Sequence, residues 1–399
     1  MVLSVCLPVT TTTNSTKVTP RMIWRYSLAD WDRAAELLDC IEWDPLLQLD
    51  INEHWRTWRT YFLQVMELCM PHTAAKVKKG LPWISKEIFN AIKKRDILFC
   101  TAKATGKPAD RAKYNQKRNQ VVRMLRDGKQ HFFDQHLNNL DAKTFWKTIR
   151  LLNQECSSSR IPALQDIDGA KIIDSNLDKA TTLNEFFYTC FNHSQSTSMD
   201  PPMIPLPPDE CPAELLCTEE SVFELLSNLD TTKSTGCDGI SSKMLKCTSL
   251  SIADPLHKLY NHSISTGTIP ADWKIGRITP IPKGTNDSLP SGYRPISVLP
   301  IVSKLIERHI KNIVEEFLRS NAPISSRQWG FMSNRSTVSA LIKVVDDWQR
   351  ALDQGYEVCV VFFDVSKAFD TVPHSLLLAK LHELGLDPYL LRWIRSYLF

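Results

Sequence analysis

The sequence predicts a helix-rich α+β chain, with a basic helical region first and a region of mixed strands and helices after it. Three observations support this. From residue 22 to about 155, apolar side chains recur at helical spacing. Later, Arg277–Ile281 and Val358–Phe363 are short runs of the β-branched and aromatic kind that fills strands. Charge is also unevenly placed: residues 76–150 hold 19 Lys and Arg against 6 Asp and Glu, leaving 29 against 38 elsewhere. One region therefore carries the positive field.

In chain order, Met1–Val9 reads as one short strand, the remnant of a domain upstream. Thr10–Thr19 reads as a linker, so residues 1–21 form no domain of their own. The region 22–155 opens with a helix capped by Ser27. Trp55, Trp58, Phe62, Val65, Met66 and Cys69 make a second apolar stripe. Ile84, Ile88, Ile92 and Leu98 then space a basic helix, and another runs from about Asp110 to His136. Lys and Arg on a helix are commonly a solvated face. Here the excess is too one-sided for neutralisation by partners one turn away. Lys93, Lys94, Arg95, Lys117, Arg118 and Arg123 are therefore expected to meet nucleic-acid phosphates, without regard to base sequence.

Residues 156–215 read as linker around a short helix, Asn176–Phe191, with the Pro-rich run Pro201–Pro208. Eleven scattered cysteines with no C-x-x-C pair, and histidines without zinc spacing, argue against a zinc module. An odd, unpatterned set suits a reducing compartment, the nucleus and cytoplasm. No apolar run approaches the ~20 residues that cross a bilayer, so no membrane partner is expected.

Residues 216–399 carry the chemistry. Thr218 caps an amphipathic helix, Lys233–Ile240 is a Gly- and Asp-rich turn, and a basic strand leads to Lys283. Arg294 follows in Ser291–Ser297. Val302, Ile306, Ile310, Ile313 and Phe317 line one side of a long helix. Ser336 or Thr337 caps the next, which Gly355 ends. Val358–Phe363 is an unbroken apolar run, as in a strand buried on both faces, with Asp364 at its C-terminal edge. A lone Asp there serves equally well as a turn cap. Lys367, Phe369 and Asp370 crowd in behind it, ahead of helices begun at Pro373 and Pro388.

The pattern D-x-x-K-A-F-D from Asp364 resembles the first catalytic motif of reverse transcriptases, particularly those of LINE-like (jockey- or CR1-like) non-LTR retrotransposons. Lys233–Ile240 (K-x-x-G-x-D-G-I), Ser291–Ser297 and Gln328–Thr337 (Q-x-G-F…R-S-T) resemble further elements of that family, in its order. Trp83–Asp96 looks like its segment ahead of the polymerase. Met332 departs from the basic residue expected there.

The resemblance implies the fingers and part of the palm of a right-hand polymerase over 216–399. Asp364 and the Val365 carbonyl would hold Mg2+, because in-line transfer at phosphorus uses two hard cations about 4 Å apart. Phe369 would lie under the sugar and leave no room for a 2′-OH. Lys283 and Arg294 would grip phosphates, and Arg335 the nucleic acid. The partners implied are an RNA template, a DNA primer or target, and deoxynucleoside triphosphates. The family's later palm motifs are absent from these 399 residues, and Asp346–Asp347 lies on a helix upstream. The chain is therefore expected to be truncated after the first motif and inactive alone. The rival reading is a non-catalytic nucleic-acid-binding fragment. A phosphotransferase with Asp364 as nucleophile would want a second acid where Ser366 stands.

Overall fold

The computed structural model describes residues 3–5, 22–74, 83–137, 161–166, 172–192, 204, 210–284, 288–321, 325–365 and 367–399. The predicted linker Thr10–Thr19 and most of Pro201–Pro208 lie outside them. The chain divides into two compact units: residues 1–17, 22–73 and 162–399 form the first, and residues 18–21 and 74–161 the second. The division thus falls after Thr73, whereas the sequence suggests one region from 22 to 155.

The elements in chain order are β1 (Leu3–Val5), β2 (Met22–Trp24), α1 (Trp31–Asp39), α2 (Ile51–Cys69), β3 (His72–Ala74), α3 (Lys86–Thr105), α4 (Pro108–Leu137), β4 (Leu164–Gln165) and β5 (Ile172–Ile173). There follow α5 (Asn176–Asn192), α6 (Glu219–Ser227), α7 (Ser242–Cys247), α8 (Ser249–Thr266), β6 (Gly276–Pro282), β7 (Tyr293–Val298), α9 (Ile301–Asn321), α10 (Thr337–Asp353), α11 (His374–Glu383) and α12 (Pro388–Leu398). Their ends follow side-chain chemistry. Thr218 and Ser336 each close a reciprocal capping box, with Ser221 and Ser339. Ser27 caps nothing: it lies in a tight turn, and Asp30 accepts from Arg33 N at 3.1 Å to start α1 instead.

In the first unit α8 is the central post. Ile252, Leu256, Leu259, Tyr260 and Ile264 are all buried on it. Helix α2 brings Trp55, Trp58 and Phe62 to the same core as a run of stacked rings, with Trp273 edge-on to Trp55. Such pairs add roughly 1 kcal/mol each beyond the area they bury. Helix α9 contributes Val302, Ile306 and Ile310. Helix α12 locks in through Trp393, whose indole donates to Ser263 Oγ at 3.1 Å.

The main sheet has the order β1-β6-β7, β1 parallel and β7 antiparallel to β6. The N-terminal strand, read from sequence as a remnant of another domain, therefore joins this unit. A larger correction concerns Val358–Phe363. The run is in neither helix nor strand, and Phe362 and Phe363 are 85% and 90% exposed. A strand exists only where another backbone pairs with it. Among the described residues no strand lies beside this run. Its composition shows what it would bury if covered, and none of the described residues of this unit covers it.

In the second unit the described residues form an antiparallel helical hairpin of α3 and α4, turned at Gly106 with φ +65°. Ile88, Ala91, Ala102 and Val121 form its thin buried seam. Gly128 lets the helices meet, since a Cβ there would come within 2.9 Å of Ile88 Cδ1.

Candidate active site and nucleic-acid interface

The β6–β7 ribbon sets the first group of side chains. Ile281 pairs with Arg294 and Thr279 with Ile296, so these four project from one face. Lys283, two residues beyond Ile281, continues that face, and its N–H donates to Gly292 O at 2.8 Å. The ribbon thus brings Lys283 and Arg294 together as exposed cations on one surface, with the Lys283 ammonium resting on Ser291 O at 3.1 Å.

The Lys233–Ile240 segment proves architectural. Gly236 passes so close to Pro300 that a Cβ would lie 2.7 Å from its Cα. Asp238 is 5% exposed, and its backbone carbonyl accepts from Arg59 Nε on α2 at 3.1 Å. Burial pushes its carboxyl up to about 6, against the lowering hydrogen bond from Ile240 N. Sequence order could mark this motif but could not show α2 bound to it.

The Asp364 loop stands out from the core. Asp364 is exposed, as are Val365 and Phe369, and Lys367 adopts the left-handed conformation with φ +51°. Phe369 meets Phe331 edge to face at 5.5 Å. Lys367 reaches α5, where its ammonium contacts Cys190 Sγ and lies 4.6 Å over the Phe186 ring. Helix α5, expected as a short helix between two linker stretches, therefore holds this loop. Phe331 and Asn334, in the facing loop, also have positive φ. That strain costs each on the order of 1 kcal/mol, and the loop is braced to bear it. The brace is Arg335, which donates to Ser326 O and Gln328 O and lies 5.1 Å over the Trp329 ring. Its guanidinium is occupied within the loop, whereas the sequence reading offers it to nucleic acid.

On the hairpin, Arg95 forks onto Asp96, the adjacent residue. Lys117 bonds Gln120 and Arg118 bonds Asn119, both neutral. Lys93, Lys94, Lys117, Arg118 and Arg123 have no ion-pair partner among the described residues, and all but half-buried Lys117 are exposed.

Residues 281–399 match the family described as reverse transcriptase (RNA-dependent DNA polymerase). The chain is 27% identical over 293 residues to the probable RNA-directed DNA polymerase from transposon BS of Drosophila melanogaster, covering 71% of this chain and 32% of that protein. It is 26% identical over 310 residues to the corresponding X-element protein of the same fly, covering 73% and 33%. To the RNA-directed DNA polymerase from mobile element jockey it is 29% identical over 182 residues, covering 45% and 20%. Over the matched stretch this chain is similar to the reverse transcriptases of LINE-like non-LTR retrotransposons. It spans about a third of the length of the first two relatives.

Lys283, Arg294, Arg335, Asp364, Val365 and Phe369 all fall inside the matched stretch, and the hairpin cations fall outside it. Whether a divalent ion fits this reverse transcriptase segment is a question of ligands. Among the described residues no three His, Cys, Asp or Glu side chains group together. Asp364 with one carbonyl does not satisfy the six or more oxygens that a hard cation takes, so these residues do not make a complete site.

Proposed function

We propose that this chain is the nucleic-acid-handling and fingers portion of an RNA-directed DNA polymerase of a mobile element, with Asp364 one carboxylate of its magnesium site. The observation that carries it is the β6–β7 ribbon, which presents Lys283 and Arg294 on one face within the stretch matched to the family. Paired cations of this kind suit the triphosphate of an incoming deoxynucleotide. The hairpin of α3 and α4 serves the RNA template and DNA primer, through phosphates. Its scattered, unpatterned cysteines suit work in a reducing compartment, the nucleus and cytoplasm. A second reading, nucleic-acid binding without catalysis by these 399 residues, is favoured by the contrast between a basic hairpin and an Asp364 loop without partner carboxylates among the described residues.

Primer extension separates the two. The 399-residue polypeptide should not extend a primer. Continued through the remaining length of a relative such as the X-element polymerase, it should do so with magnesium and deoxynucleotides. In that longer protein Asp364→Asn should abolish extension, while Phe369→Val should chiefly relax exclusion of ribonucleotides. Synthesis that survives Asp364→Asn would remove this assignment.

A further inference from the structure

Helix α3 carries a feature that phosphate binding does not need. Phe89 and Phe99 are half exposed, at 50% and 49%. With the exposed Lys93 and Lys103 they fall within about 120° of the helix circumference, in the order Phe, Lys, Phe, Lys along about 20 Å. Large aromatic side chains left in water on a helix carry a solvation cost that a solvated basic face would avoid. The rings are also held in place. Phe99 packs against Tyr114 of α4 at 5.2 Å, and the Lys93 ammonium lies 4.8 Å over Phe89.

We propose that this α3 face is a binding surface for single-stranded nucleic acid, with bases stacked on Phe89 and Phe99 and phosphates met by Lys93 and Lys103. The proposal rests on the reading of the hairpin as a nucleic-acid interface and adds the class of strand it takes. Every base has a π-face, so rings interleaved with cations bind a single strand with little regard to sequence. A duplex keeps its bases stacked inside and offers these rings nothing. Charge complementarity selects this occupant, since two copies of this face would bring like charges together.

The test uses the whole 399-residue chain and a fluorescent unstructured 20-nucleotide RNA, free or annealed to its complement. Phe89→Leu with Phe99→Leu keeps apolar bulk and a good helix former, and circular dichroism checks that the hairpin persists. Single-strand affinity should fall about tenfold with its salt dependence unchanged, and duplex affinity should stay as it was. Phe89→Tyr with Phe99→Tyr should retain the single-strand affinity. Equal loss on both strands, or no loss, would overturn the proposal, as would a change in sedimentation showing that the rings join two copies. If the unaltered chain binds neither RNA, the failure lies in the hairpin reading itself.

Discussion

At the scale of single residues, the core of the first unit carries a titratable contact. His54 on α2 is 2% exposed, and its Nδ1 lies 3.0 Å from Nδ1 of His262 on α8. Burial first, and His262 second, lowers the His54 pKa to about 4, and burial lowers that of His262 as well. Asp50 is the carboxylate that acts against the shift at His262. A histidine held neutral in the fold but free to protonate when unfolded stabilises fully above its ordinary pKa of 6.5. That contribution is lost as pH falls from 6.5 towards 4, and for His54 it is on the order of 3 kcal/mol. The thermal midpoint should therefore drop between pH 7.5 and pH 5. His54→Gln should be less stable at pH 7.5 and show a shallower drop; an equal drop would place the acid sensitivity elsewhere.

Among the elements, helices were legible and strands much less so. A helix satisfies its own backbone, so caps such as Thr218, Ser336 and Asp387 and the stripe Val302–Ile306–Ile310 mark it in one dimension. A strand depends on its neighbour. Arg277–Ile281 found β7 close by in sequence, whereas Val358–Phe363 has the same propensity and no partner among the described residues. The candidate site rests on motif order. Motif order marked Asp364, Lys283 and Arg294, but nothing in the sequence placed α5 against Lys367 or Phe331 against Phe369, which are contacts between distant segments. The exposed run makes a prediction opposite to that of a buried strand. In the 399-residue polypeptide, Phe362→Ser with Phe363→Ser should shift stability by less than about 0.5 kcal/mol per residue. Phe62→Ala, at a site with no exposed surface, should cost about 3–5 kcal/mol. Urea midpoints compare them directly, and a large loss from the Ser pair would show the run to be covered.

For the whole molecule, charge is the property that divides the labour. The stretch that includes α3 and α4 holds most of the net positive charge, and the rest of the chain is net negative. The negative remainder repels a polyanion, so nucleic-acid binding by the full chain should depend on the hairpin alone. Each phosphate neutralised releases bound counterions, and the logarithm of affinity falls with the logarithm of salt by about 0.7 per contact on single strands and about 0.9 on duplex. Replacing Lys93, Lys94, Arg118 and Arg123 together by Gln removes up to four such contacts. The slope should become shallower by up to about 3 on single strands and about 3.6 on duplex. Asp364→Asn should change neither affinity nor slope, because a carboxylate neutralises no phosphate. Titrations at 50 and 200 mM salt give both slopes. An unchanged slope after the four substitutions would return these side chains to the role of a solvated helical surface.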